Sequence, residues 1–375
     1  MSMPIYLDHN ATTPVHPAVR EAMLPWLGGQ FGNPSSSHAY GREAAAALAQ
    51  AREAVAQLVG ASQDEVVFVS GGTEADNLAI LGAVLPRDRI VMSAVEHPAV
   101  EAAVLARGVE VERLQVDRNA RVELVAARGR LQRPAGMLTV MLAQNETGTL
   151  QPVAELSALA RAAAPDVVVH CDAAQAVGKV PVDMRALGVD LLTIVGHKFY
   201  APVGIGALVV RRGVALHPIS HGGGQQRGLR SGTEPVALAV ALGAACSLAA
   251  ADLVRESARQ LELRELLWQR LRQGAPTLVR SGADVPTLPN TLHVRVPDRS
   301  GAAILAAAPE VAASTGSACH AVLDHGPDDM VAVGGVLGAM GVDPREAAGA
   351  LRLSLGRSTT RDDIERAAQA LLRGM

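Results

Sequence analysis

The stretch DLLTIVGHKFYAPVGIGALVV, Asp190 to Val210, decides the fold. Its two apolar runs, Leu191–Val195 and Ala207–Arg211, have the length and β-branched content of buried strands. Between them lies Lys198, just past the end of the first run. A lysine at that point is costly to desolvate, which lowers its pKa and makes the neutral amine available. A neutral lysine amine condenses with carbonyl compounds, whereas a merely structural lysine packs its stem and sends its head to water. The segment VVVHCDAAQAVGK, Val167 to Lys179, favours the first reading. Asp172 there ends another buried-strand pattern, and Gln175 follows three residues later. A carboxylate facing a pyridine nitrogen and a lysine facing an aldehyde are the two protein parts that pyridoxal phosphate (PLP) requires. Asp172 and Lys198 at the ends of neighbouring strands would supply both.

Working outward, short β-branched runs alternate with helical stretches. Further strands are expected at Val66–Ser70, Arg89–Ser93, Gly108–Gln115, Met137–Leu142 and Val167–Asp172. Helices are expected at Gly41–Leu58, Glu74–Leu85, Pro98–Ala106, Val153–Ala164 and Val182–Leu187. This alternation is that of an α/β protein, a mainly parallel sheet covered by helices on both faces, where ligands sit beyond the carboxyl ends of strands. After Ala251 the character changes. Leu253–Leu271 reads as a separate amphipathic helix, Thr291–Val296 as a strand and Arg361–Arg373 as a terminal helix. Residues from about Val254 onward are expected to form a smaller α+β domain.

The chain has 375 residues, is 49% hydrophobic but only 2% aromatic, and carries a net charge of −3. Its core must therefore rest on Ala, Val and Leu, and no basic block of the kind nucleic-acid binding needs is visible. The start MSMPIYLDHN lacks the pattern of a signal peptide, and the apolar stretch Val236–Ala251 falls short of a membrane span. Three scattered cysteines make no disulfide framework, so a reduced, cytoplasmic protein is expected. The histidines His9, His38, His97, His170 and His197 are spread out, with no metal-binding spacing.

Other segments carry chemistry only in combination. In VVFVSGGTEADNLAI, Gly72 and Thr73 open a helix and offer N–H groups and a hydroxyl to a phosphate, or simply cap a turn. His97 follows a strand and is either structural or placed to stack on a ring and move protons. Asn145 is an amide donor at a strand end, or turn chemistry. HGGGQQRGLRSGTEPV, His221 to Val236, is a Gly-rich loop without a nucleotide P-loop ending, and it includes Thr233. Cys319 lies among small residues and turn formers, the setting of an exposed, mobile nucleophile or of an incidental surface thiol, whereas Cys171 and Cys246 read as buried. Arg352, between apolar residues, calls for a carboxylate, which an amino-acid substrate carries.

Taken together, YLDHNATTP (Tyr6 to Pro14), FGNPSSSH (Phe31 to His38), SGGTEADN (Ser70 to Asn77), EHPAV (Glu96 to Val100), NETG (Asn145 to Gly148), DAAQAVGK, GHKFYAPVGIGAL, GGGQQRGLRSGT, GSAC (Gly316 to Cys319) and LRLSLGRSTT (Leu351 to Thr360) resemble the cysteine desulfurase/selenocysteine lyase family of PLP enzymes, of the class V aminotransferase type. The resemblance implies the fold type I of PLP-dependent transferases, with a seven-stranded sheet. It implies a large PLP-binding domain over 15–253 and a small domain from 1–14 and 254–375 that carries the cysteine loop. It also implies roles. Lys198 would be the Schiff-base lysine, His97 would stack on the ring, Asp172 would pair with the pyridine nitrogen and Gln175 would bond the phenolic oxygen. Gly72, Thr73 and His197, with Thr233 from a second subunit of a homodimer, would bind the phosphate. Asn145 and Arg352 would hold the substrate carboxylate, and Cys319 would carry a persulfide to a sulfur-acceptor protein. Val195 stands where many desulfurases have Ser, so one phosphate hydroxyl is lost. The implied reaction turns L-cysteine into L-alanine. The alternatives are selenium release from L-selenocysteine, toward which TIVGHKFY and SACH lean, and transamination, which needs no thiol.

Overall fold

A computed structural model describes residues 3–316 and 335–375. From the amino end these residues form β1 (Ile5–Tyr6), α1 (Pro17–Met23), α2 (Ala39–Leu58), β2 (Val66–Val69), α3 (Gly72–Gly82), β3 (Arg89–Ser93), α4 (Pro98–Ala106) and β4 (Glu110–Leu114). Next come α5 (Leu124–Leu131), β5 (Met137–Thr139), α6 (Val153–Ala163), β6 (Val168–Asp172), β7 (Leu191–Val195), β8 (Gly206–Val210) and α7 (Val236–Gly274). The remainder holds β9 (Val279–Arg280), β10 (Thr291–Arg295), α8 (Gly301–Ala307), β11 (Val311–Ala312), α9 (Gly335–Ala339), α10 (Pro344–Ala347), β12 (Ala350–Ser354) and α11 (Arg361–Leu372).

Seven strands make one sheet in the order β2-β8-β7-β6-β5-β3-β4. Its pairings are parallel except where β8 meets β7 and β2. The alternation of side chains explains why the strands read as continuous apolar runs. Val66 and Phe68 of β2 join the core on one face, while Val67 and Val69 join the core on the other. Helices cover both faces, so nearly every position is dry. A separate core unites Leu7, Leu267, Leu292, Val294, Leu353 and Ile364 around the three-stranded sheet β12-β10-β9. The chain's start belongs to this second core, since β1 pairs with β11 and Ser354 N–H donates to Leu7 O at 2.7 Å.

Three sequence expectations need correction. Val182–Leu187 is not a helix but a turn, because the Asp183 carboxylate takes the N–H groups of Arg185 and Ala186 and Gly188 follows in the left-handed region. The helix α5 is not among the expected helices; Leu124, Ala127 and Leu131 do face the core, but the polar and Gly run Arg128–Arg130 between them masks so short a pattern. The segments Val236–Ala251 and Leu253–Leu271 are one helix, α7, of 39 residues. Neither Gly nor Pro interrupts it there; the change from apolar to amphipathic marks a change of neighbours. Its first half (Ala239, Leu242, Ala245, Cys246) packs into the large core and its second half (Leu263, Leu267, Leu271) into the small one. By length and composition α7 is able to cross a membrane. Here its apolar half lies so close to α2 that a Cβ on Gly243 would stand 2.7 Å from Ala51 Cα.

Candidate active site

The loops after β2, β3, β5, β6 and β7 converge at the carboxyl ends of the parallel strands and line a cavity of about 310 Å³. Of the residues singled out from sequence, Gly72, Thr73, His97, Asn145, Asp172, Gln175, His197, Lys198 and Arg352 all face it. Thr233 does not; it is exposed, on the loop before α7. Cys319 lies outside the described residues.

Lys198 closes a 3₁₀ turn, Gly196–Lys198, that continues β7. The turn needs glycine, because a Cβ at Gly196 would come within 2.8 Å of Ile205 O. Lys198 Nζ donates to the carbonyls of Asn10 and Ala11 at 2.9 and 2.8 Å, so the N-terminal segment holds the amine in place. Beside it, His197 Nδ1 meets Thr12 Oγ1 at 3.0 Å. Burial, then the charges of Lys198 and Lys179, depress the His197 pKa to about 4, and the ring is neutral. His97 caps α4, with Nδ1 accepting from Ala99 N–H at 3.1 Å. Its proton therefore resides on Nε2 when the ring is neutral.

Asp172 is the last residue of β6, buried, with Oδ1 accepting from Ala174 N–H at 2.9 Å. Burial raises its pKa, against the pull of His97, the Ala174 bond and the pull of Lys198. Two further carboxyls lie close behind, and neither was anticipated from sequence. Burial, then the Asp172 charge, pushes Asp76 well above the carboxylate range. Glu96 is pushed up by burial in spite of the bond it takes from Met141 N–H at 2.8 Å. Three carboxyls in so dry a place cannot all ionise. Asp76 lines the cavity as well, but only Asp172 is pulled down by cationic neighbours, His97 and Lys198, so it ionises most readily of the three. At the opposite side Gly72 and Thr73 begin α3, where N–H groups and the helix dipole favour an anion. Gly72 packs tightly on Val195, whose Cγ2 would stand 2.8 Å from an added Cβ.

At the mouth, Asn145 Oδ1 accepts from Gln144 Nε2 at 3.1 Å, leaving the Asn145 Nδ2 amide as a donor. Arg352 is buried to 3% exposure, and its fork is not idle. Nη2 bonds Asp8 Oδ1 at 2.8 Å and Nη1 donates to Asn145 O at 3.2 Å. The carboxylate that this arginine demands is thus supplied in part by the chain itself. Asn10 is the other contributor that sequence reading passed over. It was visible only as part of YLDHNATTP, and its main contribution is a backbone carbonyl, which no side-chain pattern announces.

This donor set suits PLP. It places an amine at one side, a buried carboxylate with raised proton affinity at another, and a helix N-terminus for the phosphate. Residues 5–367 match the Aminotransferase class-V family. A cysteine desulfurase of Gluconacetobacter diazotrophicus is 43% identical over 372 residues, spanning 96% of this chain and 91% of the relative. A solved NifS-like protein superposes with a TM-score of 0.89 at 31% identity, covering 99% of both chains. A structure of SspA in complex with cysteine gives a TM-score of 0.79 at 32% identity, covering 93% of this chain and 98% of that one. With PLP as that family's cofactor and the sheet as its fold type I scaffold, the chain belongs to the class V aminotransferase family, among the cysteine desulfurases.

Proposed function

We propose that this protein is a PLP-dependent cysteine desulfurase that converts L-cysteine to L-alanine and passes the sulfur to an acceptor protein. The observation that carries the reading is the convergence of Lys198, Asp172, Gln175 and the α3 N-terminus on one cavity. When bound, PLP supplies an electron sink adjacent to Cα. The chain's residues do the remaining work. Lys198 would anchor the aldehyde of the cofactor and, once free, would take the Cα proton. Asp172 keeps the pyridine nitrogen protonated, and His97 covers the ring and moves a proton with Nε2. Gly72, Thr73 and His197 hold the phosphate, joined by Thr233 of a second subunit. Its exposure away from its own chain's cavity is what such a contribution across a homodimer requires. Asn145 and Arg352 bind the substrate carboxylate. The Cys319 thiolate attacks the substrate sulfur. A sulfur–sulfur bond forms as the carbon–sulfur bond breaks, alanine departs after protonation, and the persulfide stays on Cys319.

The division of labour we propose assigns the cofactor to 15–253 and the cysteine loop to a smaller unit of 1–14 and 254–375. The hydrophobic core of the smaller unit, separate from the cores on the two faces of the large sheet, supports it. Free, buried Cys171 and Cys246 suit a reducing cytoplasm. The test is a paired assay of purified protein with L-cysteine and L-selenocysteine, counting alanine. Alanine from cysteine that vanishes in Cys319→Ser, with PLP retained, is the expected result. Alanine from selenocysteine alone would reassign the protein as a lyase, and keto-acid product would reassign it as an aminotransferase.

A further inference from the structure

A second lysine, Lys179, lies behind the cavity and takes no part in the chemistry above. It is 7% exposed, which is unusual for a lysine, and its amine pairs with no carboxylate among the described residues. Its hydrogen bonds go instead to two amide oxygens, Gln175 Oε1 at 2.7 Å and Asn10 Oδ1 at 3.4 Å. Burial, then the charges of Lys198 and Arg352, lower its pKa well below the usual lysine range. It in turn adds to the depression of the His9 and His197 pKa values. A group placed at such cost invites a functional explanation.

We propose that Lys179 is a positioning residue that locks the Gln175 carboxamide so that an N–H, and not the C=O, faces the cofactor cavity. The argument rests on what each neighbour is able to do. Whatever its protonation state, the Lys179 amine, already set against two amide oxygens, acts here as a donor, and a backbone carbonyl only accepts. Gln175 is clamped between one of each, because its Nε2 donates to Asn10 O at 2.9 Å while its Oε1 accepts from Lys179. Reversing the amide would set its oxygen against the Asn10 carbonyl oxygen and its nitrogen against an amine that donates to Asn10 Oδ1, losing both bonds as they stand. The second N–H of Nε2 is then committed as a donor.

Lys179 is itself fixed. Its carbonyl accepts from Ser257 Oγ of α7 at 2.6 Å, and Asn290 Nδ2 holds Asn10 Oδ1 at 3.0 Å. The preceding Gly178 has φ +77°, and a Cβ there would meet Phe199 Cβ at 2.9 Å. The inference rests on PLP occupying the cavity, where the Gln175 donor serves the phenolic oxygen.

The test is a pH titration of the visible absorbance of the cofactor-loaded protein, together with the PLP affinity of the apoprotein. A donor at the phenolic oxygen disfavours proton uptake by the chromophore, and any charge on the amine behind it acts in the same direction. Lys179→Met is therefore expected to move the midpoint upward by about one pH unit and to weaken PLP binding roughly fivefold. Lys179→Gln, which keeps a donor without the charge, should recover affinity to within about twofold of wild type while retaining a smaller midpoint shift. Because both residues act through one N–H, adding Lys179→Met to Gln175→Leu should bring no further loss of affinity. A Lys179→Met protein with wild-type midpoint and affinity would overturn the proposal, as would losses that simply add in the double variant. Should Lys179→Met not fold, Lys179→Gln carries the test. Affinity like that of Gln175→Leu overturns the proposal, and affinity like wild type supports it. A wild-type protein without visible absorbance would instead remove the PLP reading.

Discussion

Replacing Asp8 by Asn should make the protein less stable and yet tighten its grip on a substrate carboxylate. Asn keeps the shape of Asp and leaves an oxygen for Arg352 Nη2, now 2.8 Å from Asp8 Oδ1. What it removes is charge. Arg352 is 3% exposed, and its Nε already lacks a partner. Stripping the counter-charge from a buried pair costs about 3–5 kcal/mol, and the 23% exposure of the Asp8 side chain reduces this to roughly 2 kcal/mol. The opposite sign applies to the ligand. Two carboxylates sharing one guanidinium would sit on the order of 5 Å apart, repelling by about 3 kcal/mol at an effective dielectric of 20. Allowing for partial solvent screening at the cavity mouth, about 1–2 kcal/mol is left, a gain in affinity of roughly 5- to 30-fold. The assay is thermal unfolding of wild type and Asp8→Asn at increasing L-alanine, a carboxylate ligand that is not consumed. The variant should start lower and gain more per decade of ligand at low concentration. Equal starting stability with equal or weaker alanine affinity would refute the electrostatic account and leave Asp8 as a mere orienting group. Asp8→Ala, which loses orientation as well as charge, should bind alanine less tightly than Asp8→Asn.

Lys198→Ala should abolish turnover and the visible absorbance, and borohydride should then fix no cofactor to the protein; retained alanine production would remove Lys198 from its role. Gly72→Ala would place a Cβ 2.8 Å from Val195 Cγ2, so PLP affinity should fall about tenfold, with partial recovery in a Val195→Ala background; unchanged affinity would show that the α3 N-terminus is not the phosphate site. His293 has its pKa depressed to about 3, by burial first. It stays neutral in the folded state while an unfolded histidine protonates near pH 6.5, so its share of stability is lost as pH falls from about 6.5 toward 3. By pH 5 that share is about 2 kcal/mol. Buried carboxyls such as Asp76 and Glu96 titrate with the opposite sign in both proteins, so the informative quantity is a difference. The decline in urea-unfolding stability from pH 7 to pH 5 should be shallower in His293→Gln than in wild type, and identical slopes would contradict it.

Much of the site was legible because a parallel sheet advertises its own geometry. Leu191–Val195 and Arg89–Ser93 were placed to the residue, since strands buried on both faces appear as unbroken apolar runs. Once those ends were set, His97, Asp172 and Lys198 fell at one edge of the sheet without further argument. What escaped were contributions that depend on distant chain segments. Asp8 and Asn10 meet Arg352 and Lys198 only after about half or more of the chain has folded between them, and Asn10 works largely through its carbonyl. Asp76 carries no local signal of its own, because nothing in SGGTEADN reveals that β6 and β7 seal that face of α3. The unbroken course of α7 was hidden for the converse reason. Its two halves have different compositions, and composition was taken for a boundary.

The attachment of the N-terminal segment has a consequence for biosynthesis. Ile5 and Leu7 find their partners in Val311, Ala312 and Ser354, which are made long after them. A growing chain holds every strand of its seven-stranded sheet by Val210, yet Ile5–Leu7 finds no strand partner until Val311–Ser354 has been made. Asn10, Ala11 and Thr12 of that same segment grip Lys198 and His197, and Ser354 holds Asn10 in turn, so the seating of the amine is linked to the arrival of the small unit. A chain cut short before Val311 would carry the seven-stranded sheet with this lysine less firmly held.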